Sequence, residues 1–291
     1  MSFDRQIVIF ILLFIGFAIK IPIPPFHLWL PEAHVEASTA GSVILAGVLL
    51  KLGTYGLLRF VLPVCPDAAI YFKDYIYAIC CFSVLYISCI AIRQTDLKKI
   101  IAYSSVGHMS FVVASLFSFS VEGLAGSVYL MISHGIVSAA LFSSIGIIYD
   151  RTHTREIAYY KNIIENMPKF SFFFFIFILA NMGFPLTSGF ISEFIILNSL
   201  SEVNLLLVII FVFSTLFTSI YSIWLYARII FFVDPLSISN TSTSSMQDIN
   251  KQETFLLFYP FIIIILLGLF PNIIICKLEA ISAFYLNKIL S

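Results

Sequence analysis

The chain has 291 residues, of which 60% are hydrophobic and 11% are charged, and its formal net charge is zero. A soluble domain carries about 25% charged residues, so this composition excludes a water-exposed globular surface and predicts an integral membrane protein in contact with lipids. The neutral balance, without any basic run, argues against nucleic acid as a partner.

Apolar runs separated by polar breaks predict an all-α fold with about eight transmembrane helices. A bilayer core requires about 20 apolar residues per helix, and lipid cannot satisfy the open edge of a sheet, so helices are the expected element. In chain order the predicted spans are residues 5–31, 39–62, 71–92, 98–119, 122–149, 169–200, 205–232 and 254–275.

These spans create two faces that differ in positive charge. Side A, which holds the N-terminus, carries fewer Lys and Arg residues than side B, so side B is expected to face the matrix or cytoplasm. Two connections, residues 150–166 and 234–253, also lie on side B, and the second is predicted to be a flexible polar loop. The side-A residues are Arg5, Arg59, Lys73, Lys277 and Lys288, and those of side B are Arg93, Lys98, Lys99, Arg151, Arg155, Lys161, Lys169, Arg228 and Lys251.

Two of the eight spans contain prolines near their middle and are predicted to be broken. The first span contains residues 21–25 with three prolines, and the sixth contains Pro185 between Gly183 and Gly189. Proline lacks the backbone N–H and collides with the preceding turn, so each helix must open there. Two interrupted helices of opposite direction favour an inverted-repeat transporter over two unrelated kinks, which membrane helices also tolerate.

Five ionisable residues are predicted to lie near the middle of the membrane. A charge at the bilayer centre costs about 2.5–3.5 kcal/mol, so such residues are expected to face protein or water. Lysine and glutamate exchange protons more readily once burial disfavours their charged forms, and histidine titrates near neutrality, so a row of them predicts proton transfer. The five residues are Lys20, Lys51, His108, His134 and Glu193.

Each of these residues also has a purely structural interpretation. A single buried histidine is usually a hydrogen-bonded core residue, which applies to His108 and His134 taken one at a time. Glu193 follows a break, where a carboxylate stabilises the N-terminus of a helix. Lys20 and Lys51 are harder to explain structurally, because an ammonium group at this depth lies beyond the reach of the interface.

The longest motifs resemble a known family. Residues 20–59, 96–109 and 149–155 resemble the antiporter-like proton-pumping membrane subunits of respiratory complex I, the subunit 4 group in particular, and the resemblance runs from about residue 14 to 233. It implies two inverted five-helix repeats. Residues 1–62 would then be the last two helices of the first repeat, 63–233 the complete second repeat, 234–253 a polar loop, and 254–291 an extra C-terminal helix and tail.

The resemblance also assigns roles to the five mid-membrane residues. It implies that Lys20 is the broken-helix lysine of the first half-channel, that Lys51 is the connecting lysine, and that Glu193 is the acidic residue of the second half-channel. His108 and His134 match histidines on the central polar axis. The glutamate that partners the broken-helix lysine would lie in a preceding segment, which a separate polypeptide is expected to supply; a truncated subunit is the alternative.

The resemblance implies a proton-translocating subunit of NADH:ubiquinone oxidoreductase in the mitochondrial inner membrane, or alternatively in a bacterial plasma membrane. Its partners would be other membrane-arm subunits, including sister antiporter-like subunits. NADH, FMN, iron–sulfur clusters and ubiquinone would bind elsewhere, and the five cysteines lack any C-x-x-C spacing. Two other functions remain open, namely a subunit of a Na⁺/H⁺ antiporter and a structural remnant that bridges its neighbours.

Overall fold

The structure, a computed structural model, describes residues 2–160, 162–232 and 247–290. The helices found in these residues are α1 (Phe3–Lys20), α2 (Trp29–Glu36), α3 (Thr39–Val64), α4 (Pro66–Arg93), α5 (Leu97–Leu116), α6 (Val121–Thr152), α7 (Ile163–Asn166), α8 (Pro168–Asn181), α9 (Ser188–Ser201), α10 (Leu205–Ile230), α11 (Lys251–Leu269) and α12 (Asn272–Leu290). A 3₁₀ turn, Ile157–Tyr159, lies between α6 and α7.

The prediction of an all-α membrane protein is confirmed. In the described ranges, six helices (α3, α4, α5, α6, α10 and α11) are long and apolar enough to cross a bilayer. The first and sixth predicted spans are instead interrupted helices, each made of two shorter segments: α1 with α2, and α8 with α9.

Both interruptions follow from the prolines that predicted them. Residues 21–28 separate α1 from α2, and residues 182–187 separate α8 from α9. Opening a helix exposes backbone groups that need other partners. At the first break the indole N–H of Trp29 donates to the carbonyl oxygen of Ile19 at 2.9 Å. A side chain of α2 therefore provides a hydrogen-bond partner for a carbonyl group at the end of α1.

Several helices begin at side chains that accept hydrogen bonds from their first turn. The carboxylate of Asp96 accepts from the backbone N–H of Lys98 at 2.8 Å, which fixes the start of α5. Asn250 and Glu253 form a capping box at the start of α11. These short polar side chains satisfy backbone donors that lipid or buried protein would leave unpaired.

The C-terminal region differs from its sequence-based description in two places. α11 ends at Leu269, earlier than the predicted span, and the segment expected to be a tail forms α12. Of the predicted polar loop, 234–253, residues 234–246 lie outside the described residues, and Lys251–Glu253 already belong to α11.

The centre of the bundle is formed by α5 and α6. Most of the membrane-spanning window of each is buried, 89% for α5 and 72% for α6, whereas only 28% is buried in α10 and 22% in α11. His108 lies on α5 and His134 on α6. The two histidines are therefore in the most enclosed part of the protein, away from lipid.

Candidate functional site

The site begins at Lys51, which lies on α3 just after a π-helical segment, Leu45–Leu49. A π segment shifts the helical hydrogen-bond pattern by one residue and is common at functional sites. The Lys51 ammonium donates to the carbonyl oxygen of Ala46, inside this segment, at 2.5 Å. Its Nζ also lies 2.7 Å from Nδ1 of His134, so lysine and imidazole are in direct hydrogen-bonding contact.

His134 and His108 form the next step of the site. Their ring centroids are 5.3 Å apart, and both side chains are buried. A water-sized cavity between α5, α6 and the second broken helix is lined by both histidines, Asn181 and Glu193. The two rings therefore share one small polar space although they do not bond directly to each other.

Glu193 completes the row from α9. Its Oε1 lies 3.1 Å from Nδ1 of His108, although these atoms are not aligned as a hydrogen bond. The carboxyl group folds back over the break, because a Cβ added at Gly183 would lie 2.6 Å from Oε2. Gly183 has φ +68°, a conformation that favours glycine. The glycine therefore makes room for the carboxylate.

Lys20 is placed differently from the other four predicted residues. It is the last residue of α1 and its side chain is exposed. Within the described residues, no hydrogen bond or ion pair connects it to Lys51, His134, His108 or Glu193. The structure thus brings four of the five predicted residues into one row and leaves the fifth at the surface of the chain.

Further polar residues around Glu193 were not predicted from the sequence. Asn181 ends α8, and its amide lies between Ser104 (3.5 Å) and Ser222 (3.4 Å). The buried Tyr221 interacts with Ser104 and Thr218. Beyond Glu193, a second water-sized cavity is lined by hydroxyl side chains of α4 and α10: Ser88, Ser214, Thr215 and Thr218. A search for hydroxyls and amides at mid-span depth, and not only for ionisable groups, would have found them.

Two more histidines were also overlooked: His27 lies within the first break, and His34 lies on α2, which follows it. Both are buried, and neither ring nitrogen of His34 has a hydrogen-bond partner among the described side chains and backbone. His34 stacks on Phe142 with ring centroids 4.3 Å apart. Their position seven and fourteen residues after Lys20 was the available signal.

On side B, two cations hold the end of α2. The Lys98 ammonium, which is buried, donates to the carbonyl oxygen of Ala37 at 2.7 Å, and the Arg155 guanidinium donates to the carbonyl oxygen of Val35. Cations are favourable at the C-terminus of a helix, where carbonyl groups lack helical partners. Lys98 and Arg155, which the sequence analysis counted only among the side-B charges, therefore fix the segment that follows the first break.

Chemically, the row joins a lysine, two imidazoles and a carboxylate across α3, α6, α5 and α9. Each of these groups can gain or lose a proton, and each neighbouring pair is in contact or shares a water-sized space. In the described part of the chain, no cluster of three or more His, Cys, Asp or Glu residues is arranged to hold a metal ion. The arrangement suits proton transfer from one side chain to the next along the row.

Comparison with known proteins places this geometry in context. Residues 1–218 match the family described as NADH:quinone oxidoreductase/Mrp antiporter, TM. The chain is 51% identical, over 98% of its length, to NADH-ubiquinone oxidoreductase chain 4 of Acanthamoeba castellanii, and 42% identical, over 90% of its length, to NADH-quinone oxidoreductase subunit M of Rickettsia conorii. It covers 57% and 52% of these two relatives, so the chain spans about half the length of the curated relatives it matches.

Two solved structures resemble the whole chain. A chain of respiratory complex I from Thermus thermophilus has a TM-score of 0.89 at 25% identity; the match covers 99% of this chain and 60% of that one. A chain of the Mrp complex from Dietzia has a TM-score of 0.85 at 19% identity, over 98% of this chain and 61% of that one, a likeness of fold alone. The predicted antiporter-like membrane fold is confirmed, and the eukaryotic and bacterial relatives agree with the predicted multi-pass location.

Proposed function

The chain belongs to the NADH:quinone oxidoreductase/Mrp antiporter membrane family, and on this premise we propose that it is a proton-translocating membrane-arm subunit of an NADH:ubiquinone oxidoreductase. Relatives that are 45–51% identical carry the name NADH-ubiquinone oxidoreductase chain 4. This name, together with the eukaryotic sources of these relatives, favours the mitochondrial inner membrane.

The observation that carries the proposal is the continuous row from Lys51 to Glu193. The Lys51 ammonium can pass a proton directly to Nδ1 of His134, 2.7 Å away. A proton released from His134 enters the cavity shared with His108. His108 in turn lies within 3.1 Å of the Glu193 carboxylate. Such short separations are those that proton transfer between side chains requires.

In this proposal the chain moves protons and other subunits supply the energy. NADH, FMN, iron–sulfur clusters and ubiquinone bind to those subunits. The chain contributes titratable side chains whose protonation state follows changes in their surroundings. Sister antiporter-like subunits would be its neighbours in the membrane arm. The exposed position of Lys20 supports a separate polypeptide that covers the first break and supplies the missing partner of this lysine.

The first test is to replace Lys51 by alanine in the assembled complex and to measure proton pumping per NADH oxidised in sealed vesicles. We expect pumping to fall at least about tenfold, since the first proton donor of the row is lost. Lys251→Ala, which removes an exposed lysine at the start of α11, is the matched control. Normal pumping by an assembled Lys51→Ala complex would instead support the structural-remnant function.

A second candidate, a subunit of a Na⁺/H⁺ antiporter, is favoured by the Mrp-like fold. It would use the same row, with sodium exchange in place of redox energy. A sodium gradient imposed on vesicles without NADH distinguishes the two candidates. Sodium-dependent proton movement that Lys51→Ala abolishes would favour the antiporter, and its absence would favour the respiratory subunit.

A further inference from the structure

The break between α8 and α9 contains a backbone conformation that needs outside support. Leu186 has φ +77°, and a left-handed conformation costs a residue with a Cβ about 1–2 kcal/mol. Its side chain is 62% exposed, so packing of that side chain does not provide the support. Inside the turn, the hydroxyl of Thr187 donates to the carbonyl oxygen of Phe184 at 2.6 Å, and the backbone of the turn makes a further contact with a neighbouring helix.

That contact comes from α11, the helix beyond the second repeat. Gly268 packs so closely on the break that a Cβ at this position would overlap the carbonyl group of Leu186 and the carbonyl carbon of Thr187. Only glycine allows the two backbones to approach in this way. The break is therefore seated directly on the backbone of α11.

α11 is itself fixed to the centre of the bundle. The hydroxyl of Tyr129, on α6, donates to the carbonyl oxygen of Leu267 at 2.7 Å, and both residues are buried. α6 also holds the start of α9, where the hydroxyls of Ser133 and Ser188 are 2.8 Å apart. α6 thus holds both α11, which packs against the break, and α9, which follows the break.

The position of the break decides the position of Glu193. This residue lies five positions after Ser188, about 7.5 Å along α9, and its carboxyl group reaches back to contact Gly183 inside the break. A displacement of the turn at residues 182–187 would therefore move the carboxylate relative to His108. The present separation of 3.1 Å depends on that turn.

We propose that α11 positions the proton-carrying carboxylate: its backbone at Leu267 and Gly268, held by Tyr129, clamps the break so that Glu193 stays within reach of His108. Tyr129 and Gly268 are positioning residues that act through Glu193. The inference rests on the proposed function, since it concerns the same proton row. It gives the helix outside the second repeat a role in proton transfer.

The test uses the assembled complex with Tyr129→Phe, which removes one hydrogen bond and keeps the ring. Tyr259→Phe, at a position 65% exposed on α11, is the matched control. Gly268→Ala is the stronger variant, and Gly16→Ala, at a site with open space around the added methyl group, is its control. Pumping per NADH oxidised is measured as a function of pH and normalised to the amount of assembled complex.

We expect Tyr129→Phe to lower pumping about three- to tenfold and to move the midpoint of its pH profile, because a misplaced reacting group transfers protons more slowly. A residue that only stabilises the fold would change the amount of complex and leave this midpoint in place. The titratable groups facing Glu193 are His108 from α5, His134 from α6 and Tyr221 from α10, and none of them contacts Tyr259.

Glu193→Gln separates failure of this inference from failure of the proposed function. If Glu193→Gln leaves pumping normal, the proton row itself is refuted. If Glu193→Gln lowers pumping but Tyr129→Phe matches Tyr259→Phe in rate and pH midpoint, the clamp is refuted and the row stands. If Gly268→Ala prevents assembly, Tyr129→Phe alone tests the clamp, because it keeps the aromatic ring and removes only the hydroxyl group.

Discussion

The two interrupted helices contain the same kind of break but place their ionisable residues in different surroundings. Lys20, at the first break, ends α1 with an exposed side chain. Glu193, after the second break, is 7% exposed and contacts both His108 and the backbone of the break. Prolines interrupt both helices, but only the ionisable residue after the second break is buried.

The difference lies in what surrounds each break. The second is enclosed by α5, α6, α10 and α11, all of which belong to this chain. At the first break, side-B cations and buried histidines lie on one side, while the Lys20 side chain is exposed. The packed helices of this chain therefore enclose the ionisable residue of the second break and leave that of the first break exposed.

The sharpest test of this contrast compares the two residues directly. We expect Glu193→Gln to reduce pumping per NADH oxidised at least about tenfold, because the amide keeps the shape of the carboxyl group but cannot carry the proton. Lys20→Gln should have a smaller effect, since its side chain makes no contact with the row in the described structure. Equal or reversed effects in assembled complexes would contradict the contrast between the breaks.

A moderate effect is expected from Gly183→Ala at the second break. The alanine must adopt φ +68°, at a cost of about 1–2 kcal/mol, and its methyl group would meet Oε2 of Glu193 at 2.6 Å. We expect pumping to fall about three- to tenfold with a modest loss of stability, measured in vesicles and by thermal inactivation of the complex. Gly16→Ala serves as the control, and unchanged pumping in Gly183→Ala would show that the carboxylate does not depend on this glycine.

The smallest effects are expected at the side-B support of the first break. Lys98→Met leaves the carbonyl oxygen of Ala37 without its donor, so we expect a loss of about 1–3 kcal/mol, seen as earlier thermal dissociation of the complex. Lys99→Ala removes only the exposed 2.9 Å pair with Glu32, which should contribute about 0–1 kcal/mol. If the two variants are equally stable, Lys98 does not hold the end of α2.

Much of the site could be predicted from the sequence, because charged residues and prolines are rare inside membrane-spanning segments. A charge or a proline inside an apolar run is costly in a membrane, so Lys51, Glu193 and Pro185 indicated the site before any packing was known. Serine, threonine and asparagine are tolerated in membrane helices for many reasons. For that reason Asn181 and the hydroxyls beyond Glu193 were not distinguishable from ordinary packing residues.

The sequence by itself determined that this protein lies in a membrane, where most of its helices up to α10 run, where two of them break, and which ionisable residues must avoid lipid. These properties depend on the solvation of each residue and on short-range backbone chemistry, which are local. Only the tertiary structure decided that Lys51, His134, His108 and Glu193 form a row while Lys20 does not join it. It also placed Gly183 against the Glu193 carboxylate and Gly268 against the backbone of the second break, because close approach between distant segments depends on how the helices pack.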